Sequence, residues 1–352
     1  MPNSAILKTS LDVLYYSGAS QALRSIFGGR GAIFMLHHVR PGGGLHRGFA
    51  PNDGLEVTPK FLDEVITLVK DRGFDLVNLD EAAARIVDDQ PPKRPFAVFT
   101  LDDGYRDNLI HARPIFRKHG CPFTIFVTPA IADGTCELWW RGLEAVIAGS
   151  SRVETEIEGE AVSLATVTDI QKQQAWHRLY WPLRRLEQHA QRSWIREFCI
   201  RQGVSLEAIC TAEAMEWEEL RLVAADPLCT IGAHTVNHFA VSELSAVEAR
   251  DEMTSSAERI AAEIGVRPVH LAYPYGDAGS AASRDFRLAA EAGFKTAVTT
   301  RKGVIFSGHK DHLTALPRVS LSGEYQKLRY VEVLLSGTAF ALFNGFKRVN
   351  VA

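Results

Sequence analysis

Cysteine is scarce in this chain. Five residues (Cys121, Cys136, Cys199, Cys210 and Cys229) stand among 352, odd in number, scattered and without any C-x-x-C. That spacing excludes a disulfide framework and points to a reducing compartment. No run approaches the roughly 18 continuous apolar residues that span a bilayer, so no transmembrane segment is expected. The compact apolar core of a signal peptide is missing too, because Lys8, Asp12 and Arg24 interrupt the stretch from Met1 to Gly29. This stretch reads as an amphipathic helix, and the expected location is the cytoplasm, with peripheral membrane contact left open. No basic run stands out, and a net charge of -3 with a pI near 6.5 argues against nucleic acid as a partner. With 46% hydrophobic residues the chain has ample material for a large core.

What is present is an alternation of short apolar runs and amphipathic stretches. Ala32–Leu36, Phe96–Leu101, Phe123–Val127, Thr230–Ala233, Thr296–Thr299 and Leu316–Leu321 read as strands, with His270–Tyr273 between the last three. Most are continuously apolar, which implies a parallel sheet covered on both faces. Thr58-Pro59 opens a helix, since Thr caps and Pro suits the first turn. A strand is expected over Asp75–Leu79, followed by a helix capped by Asp80. Between Trp139 and Met215 the rhythm breaks: residues 150–165 are polar and acidic, and Gln171–Gln202 is helical. The resulting organisation is an N-terminal helical segment (1–29), a barrel in two parts (30–138 and 216–322), a helical insertion (139–215) and a C-terminal helical segment (323–352).

Two elements carry the chemistry. Thr100-Leu101-Asp102-Asp103-Gly104 follows one apolar strand, and His234-Thr235-Val236-Asn237-His238 follows another. Alone, each is weak, because Asp-Gly is ordinary turn chemistry. Together, at strand ends, they offer one carboxylate and two imidazoles to a cation with a position left open for water, plus a second carboxylate free to act as a base. A third element, Tyr273-Pro274-Tyr275-Gly276, also ends a strand.

At that conjunction the chain resembles the polysaccharide deacetylase family, the NodB-homology carbohydrate esterases of family 4. The family's T-F-D-D-G is met by Thr100–Gly104 with Leu101 for Phe, its H-[ST]-x-x-H by His234–His238, and its P-Y-G by Pro274–Gly276. The resemblance implies a distorted (β/α)7 barrel. It implies Asp102 as general base, Asp103, His234 and His238 as metal ligands, and the Tyr275 amide as an oxyanion donor. The metal expected is divalent: Zn2+ by ligand type, with Co2+, Ni2+ or Fe2+ suited to the same donors. Thr100 and Thr235 are candidates to orient the ligands.

Two departures matter. The arginine that the family places ahead of Pro-Tyr is replaced by Ala272, and Arg318 is the hypothesised substitute. The family's C-terminal histidine element is absent, but Met35-Leu36-His37-His38-Val39 resembles the early histidine element of a rearranged branch. There His37 would be the acid that protonates the leaving amine. The expected substrate is an acetylated amino-sugar glycan of the N-acetylglucosamine type. The alternatives are an O-acetyl esterase or another amide hydrolase of the same family, or an inactive carbohydrate-binding role. Trp139-Trp140 suits either stacking on a sugar ring or packing, and Trp176, Trp181 and Trp194 are expected in the core of the insertion. Oligomeric state is not legible.

Overall fold

The structure is a computed structural model describing residues 4–45, 48–88, 90 and 93–351. Residues 1–3 and 352, at the outer ends of the expected terminal segments, lie outside the described residues. Seven parallel strands form a closed ring: β1 (Gly31–Leu36), β2 (Phe96–Leu101), β3 (Phe123–Val127), β4 (Cys229–Ala233), β5 (His270–Ala272), β6 (Thr296–Lys302) and β7 (Leu316–Ser320). Around the ring the order is β1, β7, β6, β5, β4, β3, β2, and β2 closes back on β1 through six paired residues from Gly31–Phe96 to Leu36–Leu101. The expected distorted (β/α)7 barrel is thus present. A two-residue strand, Asp75–Leu76, pairs with the start of β2, where β3 has not yet begun to pair.

The continuous apolar runs are explained by burial on both faces. Every residue of β1, β2 and β3 is buried. Inside the ring, Ile33, Val98, Phe126, Ala272, Val298 and Leu316 form one cluster, while a larger cluster joins the strands to the outer helices. Phe126 fills the interior across from Gly232, where an added Cβ would stand 2.4 Å from its ring. The glycine is needed for that close approach.

Helix boundaries follow local chemistry. Thr58 caps the helix Pro59–Asp71, its hydroxyl accepting the Phe61 N–H at 3.1 Å. The strand expected over residues 75–79 stops at Leu76, and the cap of the next helix is Asn78 rather than Asp80. The Asn78 side chain accepts the Glu81 N–H at 2.9 Å, which starts the helix at Leu79. The long helix Ala246–Ile264 runs as its amphipathic pattern implies, capped by Ser245.

The segment from Trp139 to Ala214 has a hydrophobic cluster of its own, built on Trp139, Leu143, Trp176, Leu179, Ile195 and Phe198. It is not purely helical. Arg152–Ile157 and Glu160–Ala165 form an antiparallel hairpin whose tip, Glu158-Gly159, has φ of 54° and 77°. Positive φ at both central residues is the tight two-residue turn that matches strand twist. Trp176 is buried there and Trp194 is partly buried, but Trp181 is 39% exposed and so does not belong to this core. The terminal segments supply the helices Ser4–Tyr16, Ala19–Ala22, Arg24–Phe27, Leu328–Leu335 and Thr338–Phe343. Among the described residues no helix is long and apolar enough to cross a membrane.

Candidate active site

Strand alternation delivers the site residues to one place. In β2 the inward row Val98 and Thr100 continues, one step past the strand end, to Asp102; in β1 the row Ile33 and Met35 continues to His37. Arg318 follows Leu316 in β7 in the same way. Side chains two residues apart share a face, so each polar group extends an apolar interior row.

Asp103, His234 and His238 offer one ligand atom each, all within 4.8 Å of one another. Asp103 Oδ1 lies 3.3 Å from His234 Nε2 and 3.2 Å from His238 Nε2. Donors about 2.1 Å from a tetrahedral zinc would stand roughly 3.4 Å apart, so the spacing fits. The tautomer fits as well. His234 Nδ1 donates to the Ala272 carbonyl at 2.7 Å, which turns Nε2 toward Asp103. Asp103 Oδ1 is buried without a hydrogen-bond partner among the described residues. Such an orphaned acceptor facing two imidazoles is what a cation would satisfy.

The electrostatics agree. Burial would raise Asp103, but His234 and His238 outweigh it and hold its carboxyl well below the usual range. Burial also drags His238 down to about 4, keeping its imidazole neutral despite Asp103. For His234 burial pulls down, and the adjacent Asp103 and Asp102 carboxylates raise it on balance.

Beside this cluster Asp102 is gripped at both oxygens by Arg318, at 2.7 Å to Oδ1 and 2.6 Å to Oδ2. Arg318 is itself fully enclosed, with Nε donating to the Thr299 carbonyl at 2.8 Å and Nη1 to Thr100 Oγ1 at 3.1 Å. Burial would raise Asp102, yet the guanidinium wins and lowers it. Arg318 is thus the arginine paired with Asp102 in this structure. His37 Nε2 is 3.9 Å from Asp102 Oδ2. Burial lowers the His37 pKa against the pull of Asp103 and Asp102.

Thr100 thus reaches the site through Arg318. Thr235 does not fill the orienting role expected of it, because its buried hydroxyl has no partner among the described residues. The loop bearing the histidines is instead held by Glu252, which accepts the Val236 and Asn237 N–H groups at 2.9 Å each and the Asn237 amide at 2.6 Å. Arg192, from the insertion, donates to the Asn237 and His238 carbonyls at 3.0 and 3.2 Å.

The insertion also fixes Tyr275. Trp139 Nε1 donates to its hydroxyl at 2.8 Å, and the Arg184 guanidinium lies 3.7 Å from its ring centroid. Trp140 packs 5.1 Å from the His238 ring. Both tryptophans are buried, so of the two uses expected for them the packing one is observed. His38, given no task by the sequence, is buried, with Nδ1 2.7 Å from Asp107 Oδ2 and its ring stacked 3.7 Å from that of Tyr105. Asp103, Thr235, His238 and Tyr275 all hold positive φ, between 57° and 74°. Non-glycine residues persist there only when their surroundings impose it.

Comparisons with known proteins complete the picture. The polysaccharide deacetylase family profile matches residues 89–297, well over half of the chain. The chain belongs to the polysaccharide deacetylase family. A Bacillus subtilis (strain 168) relative, YxkH, itself classed among polysaccharide deacetylases, is 30% identical over 95 residues. That match covers 27% of this chain and only 30% of the relative's length. Among solved structures, the Streptococcus pyogenes deacetylase PplD, in complex with acetate, is 17% identical with a TM-score of 0.51, over 86% of this chain and 97% of that one. IcaB from Ammonifex degensii is 17% identical with a TM-score of 0.53, over 88% and 97%. These two likenesses show the shared barrel.

Proposed function

We propose that this polysaccharide deacetylase family member removes N-acetyl groups from an amino-sugar glycan of the N-acetylglucosamine type, using a divalent cation held by Asp103, His234 and His238. The observation that carries the reading is the Asp103–His234–His238 cluster with a second, separately paired carboxylate, Asp102, at its side. When bound, the cation supplies Lewis-acid polarisation of an acyl oxygen and acidifies a water beside it. Zn2+ suits the donors, and Co2+, Ni2+ or Fe2+ fit the same set.

The chain's own residues do the rest. Asp102, kept ionised and oriented by Arg318, takes a proton from the attacking water. The Tyr275 N–H, aimed by a strained backbone, donates to the oxygen that becomes negative in the tetrahedral intermediate. His37 gives a proton to the departing nitrogen, so that the product leaves as a free amine and acetate. With His37 Nε2 and Asp102 Oδ2 3.9 Å apart, the two proton transfers involve neighbouring groups.

The test is mass spectrometry of chito-oligosaccharides and acetylated xylan after incubation with the Zn2+-loaded protein. Loss of acetyl from the first and not the second is expected; the reverse would make it an ester hydrolase. Replacing Asp102 by Asn should cut kcat by about 10²–10⁴ while stoichiometric metal is retained, because general base catalysis has that range.

A further inference from the structure

The terminal segments build a surface with three unusual properties. The first is charge. Residues 1–30 and 323–352 each carry net +2, whereas residues 31–322 carry -7. The second is exposed apolar area. Ile6, Val13, Tyr16, Ile26, Phe343 and Phe346 are all between 48% and 72% exposed. The third is a cavity of about 580 Å3 lined by Tyr15, Tyr16, Ser20, Arg24, Arg72 and Phe74 among others.

Pairwise contacts join the three into one strip. Ile6, Val13 and Tyr16 follow one face of the helix Ser4–Tyr16, and Tyr16 is also a wall of the cavity. Arg24, on the cavity's other side, begins the short helix that carries Ile26. Arg348 donates to the Ile26 carbonyl at 3.3 Å, and the Phe346 ring lies 6.1 Å from that of Phe27. Lys302 stands 4.5 Å over the Phe343 ring. Aromatic and aliphatic side chains thus alternate with cations along the strip.

The cavity is electrostatically unfinished. Arg72 is paired with Glu332 at 2.6 Å, but among the described residues no carboxylate lies within 4.0 Å of the Arg24 guanidinium. Arg24 instead donates weakly to the Arg72 carbonyl at 3.4 Å and sits 5.4 Å over the Phe74 ring. Burial, and then the neighbouring Arg72 charge, lower its pKa. Glu332, a further wall of the cavity, offsets this only in part, and an anion beside the two guanidiniums would relieve their mutual repulsion.

We propose that this face docks on an anionic phospholipid bilayer, with a headgroup phosphate in the Arg24–Arg72 cavity and Phe343 and Phe346 inserted at the acyl boundary. Exposed aromatics beside Lys and Arg are the chemistry of interfacial binding, and two weak signals together give stable attachment. Where the strip meets the start of β1, the six residues of that strand, roughly 20 Å at about 3.3 Å each, lie between it and His37.

The test is flotation of the full chain with phosphatidylcholine vesicles containing 30 mol%, on the order of a third, phosphatidylglycerol, against pure phosphatidylcholine. Binding is expected to the first only, and to fall as salt rises. Arg24→Gln should weaken it about fivefold, the worth of one surface cation. Phe343→Ser/Phe346→Ser should weaken it further, and both variants should keep the wild-type melting temperature and deacetylation of a soluble oligosaccharide. Because binding is read without substrate, failure of the deacetylase reading leaves this test intact. Equal binding to neutral vesicles, no binding to anionic ones, or full displacement by millimolar inorganic phosphate would overturn the proposal. A wild-type dimer dissolved by the phenylalanine substitutions would also overturn it, by showing that a second copy covers the strip.

Discussion

Arg318 and Asp102 are 216 positions apart and share two hydrogen bonds inside a buried site. An unpaired buried carboxylate is costly and tends to neutralise, so the guanidinium determines whether the base exists as an anion. Removing it, as in Arg318→Met, raises the Asp102 pKa. The acid limb of the kcat/KM profile should then move to higher pH by about one unit or more, with kcat at neutral pH falling about tenfold or more. An unmoved limb in a pH–rate series would detach Arg318 from the base. Tyr275 offers a finer measurement. Tyr275→Phe removes only the hydroxyl that accepts from Trp139 and leaves that N–H buried, a loss of about 1–3 kcal/mol in stability. The same loss is expected for Trp139→Phe, and urea melts should show the double variant costing less than the sum. At this scale the sequence was readable where residues are contiguous: Asp102-Asp103 and the histidine pair name themselves. Glu252 and Arg192 were not readable. A glutamate in the long helix and an arginine in the insertion look like any solvated charge until the loop they hold is folded against them.

At the scale of elements, the barrel was legible because buried parallel strands are continuously apolar and their helices carry caps. The hairpin at 152–165 was missed because four glutamates give the stretch an acidic, loop-like look, although Val153, Thr155 and Ile157 alternate with charges and Gly159 marks the turn. Period two was present and was masked by polarity on the outer face. Elements are also tied by charge. Asp226, just before β4, is buried and accepts from Arg113 Nε at 2.8 Å, linking the base of β4 to the helix Arg113–His119. Burial opposes ionisation there, but Arg113 prevails and the pKa falls below its ordinary 3.8. A depressed carboxylate contributes stability above the unfolded-state value and loses it as pH falls through the folded one. Asp226→Asn should therefore be less stable than wild type at neutral pH, with the difference shrinking once pH falls below 3.8 toward the depressed folded-state value. Denaturant melts at the two pH values check this, and a constant difference would refute it.

At the scale of the whole molecule, the proposed cation would couple the site to stability. A ligand that binds only the folded chain stabilises by RT ln(1 + [L]/Kd), about 2.7 kcal/mol when free metal is 100 times Kd. Zn2+ should raise Tm, and a chelator should return it to the apo value. His238→Ala should abolish the Zn2+ response, and calorimetry showing the same rise in that variant would place the ion elsewhere. The two hundred or so residues of matched family profile do not include the terminal helices, and their meaning came only from assembly. No single motif marks them, whereas their shared charge and exposed aromatics become evident once folding brings the chain ends together.

Four side-chain-bearing residues around the cation cluster are held in the left-handed backbone region that glycine occupies at no cost. One of them, Thr235, has a buried hydroxyl without a hydrogen-bond partner among the described residues. The rim of the cleft is therefore cocked like a latch, kept taut by Glu252, Arg192 and Trp139 bearing on it from outside. Thermal loosening should begin at those restraints, leaving a heated chain unable to cut its substrate while the barrel beneath is still intact.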